Sequence, residues 1–355
     1  MSTPTNDRLL GAAARALGCS PDPSWTVQPL KQDASNRSYF RLRLPDRPLI
    51  VMSMPLGVGS EEVTSGDAPE ELPFVNVHRY LDGLGIRVPK IHAYEPDEGL
   101  MVLEDLGDVT FEAGLSIGVT DEASSQARRE LLYGKAIDLL AALRAKADRN
   151  PDPGCLSSSR AFDFELYRWE LDHFLEWGLA ARHGVELDAD EAGRVARHAD
   201  AIADALAALP RGFTHRDYQS RNLMLLPGDD LAVIDFQDAL QGPFQYDLVA
   251  LLRDSYVELP MDFVEGMLRR YLEKLAAEGG PSLEADSFIA DFHLLTVQRK
   301  LKDAGRFVFI DRVKKNPSFL PYVEPSLRYV REAFERRPEL AELRGILARH
   351  VPELV

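Results

Sequence analysis

FTHRDYQSRNLMLLPGDDLAVID, residues 213–235, decides how this chain is read. Its first half is a charged loop running from His215 to Asn222. Its second half is two short apolar runs, 223–226 and 231–234, joined by Pro227-Gly228-Asp229-Asp230. Gly and Asp between apolar runs is hairpin chemistry, so the spacing predicts a hairpin that returns Asp235 beside the loop preceding it. Asp217, Asn222 and Asp235 then face one small volume with two carboxylates and an amide oxygen. Phosphoryl transfer from ATP needs such a set. One carboxylate orients the attacking hydroxyl and accepts its proton, while an Asn and a second Asp hold the Mg²⁺ that neutralises phosphate charge. Oxygen ligands suit this hard, partly hydrated cation, which needs only one or two protein carboxylates. The competing reading is a polar loop whose Asp and His merely cap a turn. It requires four residue types to fall at motif spacing by coincidence.

With 355 residues the chain has room for two lobes and a substantial core. Hydrophobic residues at 45% and charged residues at 28% place it among ordinary soluble globular proteins. A formal net charge of −16 argues against a nucleic-acid partner, because nothing neutralises a phosphate backbone. The same acidity would suit a cationic substrate, or serve only solubility. Cys19 and Cys155 lie far apart without metal-binding spacing, which points to a reduced compartment and no zinc site. Asp7, Arg8 and Arg15 interrupt the N-terminal segment, and no apolar run reaches membrane-spanning length. The expectation is a cytoplasmic monomer with no membrane partner.

Along the chain, residues 6–18 read as a short amphipathic helix closed by Gly18. Strand-like runs follow at 25–29, 39–44 and 49–54, the last two joined by Pro45-Asp46-Arg47-Pro48. The polar turn 31–38 lacks glycine, yet its backbone N–H groups and short hydroxyls suit an anion. Ser35, Asn36 and Arg37 are therefore candidates for the ATP phosphates, although a plain surface hairpin also explains the turn. A helix is expected over 70–84. Strands at 90–94 and 100–103 then lead to Glu104-Asp105-Leu106-Gly107, a hinge position where Glu104 and Leu106 would meet adenine through backbone groups. Beyond residue 121 the pattern is helical, over 122–146, 162–183, 187–209, 246–252, 261–277, 283–306 and 324–350. The stripe Phe164, Tyr167, Trp169, Phe174 and Trp177 fits a packed core better than a substrate cleft. Asp247 caps its helix or ties down the catalytic loop. Arg299, Lys300 and Lys302 face solvent or meet an anionic substrate. Strands followed by helices, without repeats, give an α+β, bilobal fold. A small β-rich lobe over 1–104 would cover the nucleotide, and a larger helical lobe over 105–355 would carry the catalytic loop and substrate site.

The spacing His215-x-Asp217-x-x-x-x-Asn222, followed by Asp235-Phe236, resembles the protein-kinase-like superfamily. Over residues 213–254 it is similar to the aminoglycoside phosphotransferase and choline kinase family. Three protein-kinase features are absent. The third strand, Ile50-Val51-Met52-Ser53-Met54-Pro55, carries no lysine, so Arg37 or Arg41 is expected to supply that cation. Glu70 or Glu71, standing where the lysine's partner would be, then reads as a solvated face. Gln219 occupies the position of a lysine two residues after the catalytic Asp. Between Asp235 and Tyr246 there is no activation loop on which a peptide could lie. HRDYQSRNLMLL, VIDFQDALQGPFQYDLVALLRD, DASNRSYFR and LEDLG resemble the bacterial anomeric sugar kinases acting on N-acetylmuramate and N-acetylglucosamine. This resemblance implies ATP-dependent phosphorylation of the C1 hydroxyl in peptidoglycan recycling. It implies Asp217 as base, His215 as support for the loop, and Asn222 and Asp235 as Mg²⁺ ligands. Arg221 would contact the γ-phosphate or the sugar's lactyl carboxylate, or else be an exposed loop arginine; Gln237 would lie on the substrate side. The alternatives are an aminoglycoside or choline-like kinase and, from another class, a nucleotide-binding pseudokinase.

Overall fold

The computed structural model describes residues 4–30, 37–54 and 71–355. Its N-terminal part is an antiparallel sheet of β1 (Thr26–Pro29), β2 (Ser38–Arg43), β3 (Pro48–Ser53), β4 (Ile91–Glu95) and β5 (Leu100–Glu104), in the order β1-β2-β3-β5-β4. Side chains alternate across a strand, so both faces can be buried against different partners. Phe40, Leu42, Leu49, Val51, Leu100 and Val102 pack with Leu9, Ala12 and Ala13 of α1 (Asn6–Leu17). Met52, Met101 and Leu103 turn the other way and join Phe74, Val77 and Leu81 of α2 (Pro73–Gly83) in the main core. α1 closes on Gly18, whose φ of 67° is open to glycine at no steric cost.

The remainder is mostly helical. In order come α3 (Phe111–Gly114), α4 (Glu122–Arg149), α5 (Leu156–Ser159), α6 (Phe164–His173) and α7 (Ala189–Ala207). Two short β pairs follow, β6 (Arg211–Thr214) with β9 (Leu240–Pro243) and β7 (Leu223–Leu225) with β8 (Leu231–Val233). Then come α8 (Gln245–Leu252), α9 (Met261–Ala277), α10 (Ala285–Lys314), α11 (Val323–Glu335) and α12 (Ala341–Ala348). α4 starts at a reciprocal cap, Asp121 accepting from Ser124 N–H while the Ser124 side chain reaches back. Every residue of α8 is buried, so this helix forms the floor of the catalytic loop. No helix among the described residues is long and apolar enough to cross a membrane.

Three expectations are corrected. The helix expected over 162–183 is α-helical from Phe164 to His173 and again at 182–183, while Phe174–Ala181 between them winds as a π-helix. The wide turn coincides with a close approach of α10, where a Cβ on Gly305 would lie 2.9 Å from Phe174 Cα and 3.1 Å from the His173 carbonyl oxygen. The aromatic stripe divides accordingly: Tyr167 and Phe174 are buried, whereas Trp169 is exposed. α10 runs beyond Arg306 to Lys314, and the helix expected over 324–350 is broken into α11, a 3₁₀ turn at Pro338–Leu340, and α12. Proline cannot donate the hydrogen bond needed to continue a helix.

Candidate active site

β6 ends at Thr214 and delivers the loop 215–222; the β7–β8 hairpin, with Leu223 opposite Val233, returns the chain to Asp235. Gly228 and Asp229 take positive φ in its turn, which matches the twist of tight hairpins. Ile234 N–H donates to the Asn222 carbonyl at 3.0 Å. Asn222 Nδ2 donates to the Asp217 carbonyl at 2.9 Å and lies 3.5 Å from Asp235 Oδ2. The expected trio is brought together.

Outside that turn, two further residues of the site hold left-handed backbone without being glycine, Arg216 at φ 79° and Asp235 at φ 61°. Such conformations persist only where surroundings over-determine them, and at Arg216 α8 supplies the restraint. Asp247 Oδ2 accepts His215 N–H at 2.7 Å and Oδ1 accepts Arg216 N–H at 2.9 Å. Just past the other end of α8, Asp254 Oδ2 accepts Ser220 N–H at 2.8 Å and Ser220 Oγ–H at 2.5 Å. Burial raises both carboxyl pKa values, opposed by these donated hydrogen bonds. His215 bridges loop and hairpin, its Nδ1 accepting Asp217 N–H at 3.2 Å and its Nε2–H donating to the Ile234 carbonyl at 3.0 Å. Complete burial lowers its pKa, and only the neutral ring can accept at Nδ1.

Asp235 differs from these anchors. Crowding by the cleft walls, and then the charge of Asp217, raise its carboxyl pKa, while Gln237 Nε2 at 2.9 Å and Arg37 at 3.7 Å oppose the rise. Its side chain remains 45% exposed, so cleft water moderates the effect. Asp235, whose charged form is disfavoured, and the oxygen of Asn222 make a hard-donor set that a divalent cation would relieve. No group of three or more His, Cys, Asp or Glu suited to a metal occurs among the described residues. An oxygen site of this kind would therefore draw further ligands from phosphate and water.

A family model, the Phosphotransferase enzyme family, matches residues 26–285. The chain belongs to this phosphotransferase family. An N-acetylmuramate/N-acetylglucosamine kinase of Pseudomonas aeruginosa is 36% identical over 336 residues, covering 94% of this chain and 91% of its own. The protein of that name from Neisseria meningitidis is 35% identical over 319 residues, 89% and 87% of the two chains. Choline kinase of Cryptosporidium parvum aligns over 97% of this chain and 98% of its own, with TM-score 0.62 and 11% identity. An ADP-bound aminoglycoside phosphotransferase aligns over 87% and 94%, with TM-score 0.52 and 14% identity. These structural likenesses are likenesses of fold, and they bear out the bilobal kinase-like architecture.

Within this phosphotransferase the other candidates separate by what already holds them. Arg41, 6% exposed, lies 2.6 Å from Asp105 and 2.5 Å from Asp108, so it ties β2 to the segment after β5 and is not available as the missing cation. Arg37 sits across from Asp235. The Glu104 carboxylate takes Arg87 at 2.6 Å and Lys90 N–H at 3.1 Å, and its own N–H donates to the Lys90 carbonyl at 2.9 Å, so its side chain and N–H are both engaged. Leu106 is half-buried, and among the described residues its N–H makes no hydrogen bond. Ser35, Asn36 and Glu70 lie outside the described residues, and Glu71 pairs with Arg79 at 2.6 Å. Arg221 is engaged within the protein: Glu112 holds it at 2.6 Å and Tyr322 at 2.9 Å, and it stacks 3.6 Å over the ring of Tyr256. Gln237 is buried and donates to both Asp235 and Asp238, so it orients these carboxylates.

The basic cluster on α10 is corrected as well. Arg299 and Lys300 are 2% exposed and Lys302 7%, because α10 threads the centre of this half of the molecule. Lys300 Nζ binds Ser255 Oγ at 2.6 Å and Asp303 at 2.8 Å. Burial alone would raise the Asp303 carboxyl pKa, but Lys300, Arg299 and Lys302 hold it well below the usual range. Arg299 Nη2 lies 3.3 Å from Asp217 Oδ1. Sequence reasoning missed this contact and the Asp254 anchor. The available signal was a run of cations in the middle of an otherwise apolar helix.

Proposed function

We propose that the protein is an ATP- and Mg²⁺-dependent kinase that phosphorylates the anomeric C1 hydroxyl of N-acetylmuramate or N-acetylglucosamine. The convergence of Asp217, Asn222 and Asp235 carries this reading, and the names of the relatives support the acceptor class. Asp217 accepts the proton as the C1 oxygen bonds to the γ-phosphorus and the bond to the β–γ bridging oxygen breaks. An anomeric hydroxyl is more acidic than an ordinary alcohol, so the base has chiefly to orient it. Asn222 and Asp235 would hold Mg²⁺, which neutralises phosphate charge when bound. Residues 1–104 would cover the nucleotide, with Arg37 toward its phosphates and the Leu106 N–H toward adenine; residues 105–355 would bind the sugar. Peptidoglycan recycling in the cytoplasm is the role this reaction would serve. Arg299, a buried cation 3.3 Å from the base, disfavours a choline-like or aminoglycoside acceptor.

Incubation with Mg-ATP and each of N-acetylmuramate, N-acetylglucosamine, kanamycin and choline, followed by phosphorus NMR, tests the reading. A product phosphorus coupled to the anomeric proton is expected with the amino sugars. Turnover confined to the amines would replace it with the amino-alcohol or antibiotic kinase, and nucleotide binding without turnover would make the chain a pseudokinase.

A further inference from the structure

We infer that Arg299, brought by α10 from outside the catalytic loop, positions Asp217 and supplies the counter-charge its carboxylate lacks within the loop. The inference rests on Asp217 being the base proposed above. Each candidate group within the loop is engaged elsewhere or uncharged. Gln219 is neutral. Arg221 is held by Glu112 and Tyr322. Arg216 lies 3.7 Å from Glu170 of α6. His215 is kept neutral by burial, and its Nδ1 accepts from the Asp217 backbone. Among the described residues, Arg299 is the cation within ion-pair distance of Asp217, at 3.3 Å.

The surroundings of Arg299 fix its direction. Its guanidinium lies 4.6 Å from the ring centre of Tyr246 on α8. The residues on either side are locked to different elements, Gln298 to Glu170 at 2.7 Å and Lys300 to Ser255 at 2.6 Å. Helix α10 therefore cannot rotate about its axis without breaking both. Contact at Oδ1 leaves Oδ2 of Asp217 to face an acceptor hydroxyl.

A purely structural role fits poorly. Arg299 is buried, yet among the described residues its Nε and Nη1 have no hydrogen-bond partner. A guanidinium buried with unmet donors weakens a fold. Asp217, 35% exposed, would be solvated without it. What the fold loses by burying this cation is repaid at the base.

The test compares Arg299→Met, Arg299→Ala and Arg299→Lys with the wild type, using the acceptor the wild type phosphorylates and also ATP hydrolysis without acceptor. Arg299→Met, which keeps the buried volume, is expected to lose on the order of 10²-fold in kcat. Its Tm and KM for ATP should stay near wild type, and Arg299→Lys should recover part of the loss. Guanidinium ion, added well below denaturing concentration, should restore activity to Arg299→Ala and leave Asp217→Asn unchanged. A kcat for Arg299→Met within about threefold of wild type overturns the inference. So does a loss matched by falls in Tm and ATP binding, with no rescue of Arg299→Ala. If the wild type ignores both amino sugars, the proposed function fails while the Arg299 comparison is read unchanged on ATP hydrolysis, so the two failures separate.

Discussion

Asp247 and Asp254 on one side, and Asp217 and Asp235 on the other, are the same side chain put to opposite uses within one loop and its floor. The first pair is 4% and 2% exposed, and its oxygens are taken up by N–H and O–H groups of residues 215, 216, 220 and 256. The second pair opens to the cleft, with side chains 35% and 45% exposed. A carboxylate whose lone pairs are filled by backbone donors is a fastener. One left partly unfilled beside a like charge is available for chemistry. Saturation of the oxygens and burial together, and not distance along the chain, separate the two classes.

That contrast can be broken by exchanging which pair is removed. Asp217→Asn is expected to have the largest effect, a fall in kcat of about 10³-fold with Tm and ATP binding retained. Persistence of activity would take the base away from this residue. Asp247→Ala should act through stability, since two buried N–H groups of a strained loop lose a charged acceptor. A cost of about 3–5 kcal/mol, seen as a Tm lower by roughly 10 °C, is expected. Calorimetry finding wild-type Tm would show that the loop does not depend on its floor.

Arg37→Ala sharpens the contrast from the nucleotide side. It should raise KM for ATP by about five- to tenfold, the weight of one exposed phosphate contact, with little change in Tm; an unaltered KM eliminates Arg37. The smallest effect concerns an imidazole. Burial, then Arg336, Arg253 and Arg337, lower the pKa of His293 to about 3. Below about pH 6.5 the unfolded chain therefore binds a proton that the folded chain refuses, and stability falls with pH until about pH 3. His215 acts in the same sense. His293→Phe should make the decline in Tm shallower by the equivalent of about 1 kcal/mol between pH 7 and roughly pH 5.5. Parallel Tm profiles for the two proteins would rule His293 out as a source of acid lability.

What was legible in the sequence was local. The Pro227–Asp230 turn chemistry and the flanking apolar runs suffice to return Asp235 to Asn222, because hairpin register follows from the turn itself. Asp247 could be read as a tie to the loop from its place at a helix start. Pro338 was a visible signal overrun by reading helical period through it. The fates of the arginines were hidden, since each depends on a contact far along the chain: Arg41 on Asp105 and Asp108, Arg221 on Glu112, Arg299 on Asp217. Period tells which face of a helix is apolar, but not whether a second layer of protein covers its charges, and so α10 was read as having a wet side. The π-helical stretch after His173 likewise coincides with a crossing that no local pattern announces.

Gly305 carries a consequence for how this molecule tolerates change. A methyl group there would press on the backbone of Phe174 and His173, atoms that cannot swing aside as a side-chain tip would. α10 would have to lift at that fulcrum, and Arg299 rides on the same rigid rod less than two turns away. A displacement of about 1 Å at a reacting group can slow catalysis about 10²-fold. One hydrogen atom on the far side of the helix thus acts as the shim that calibrates the tool.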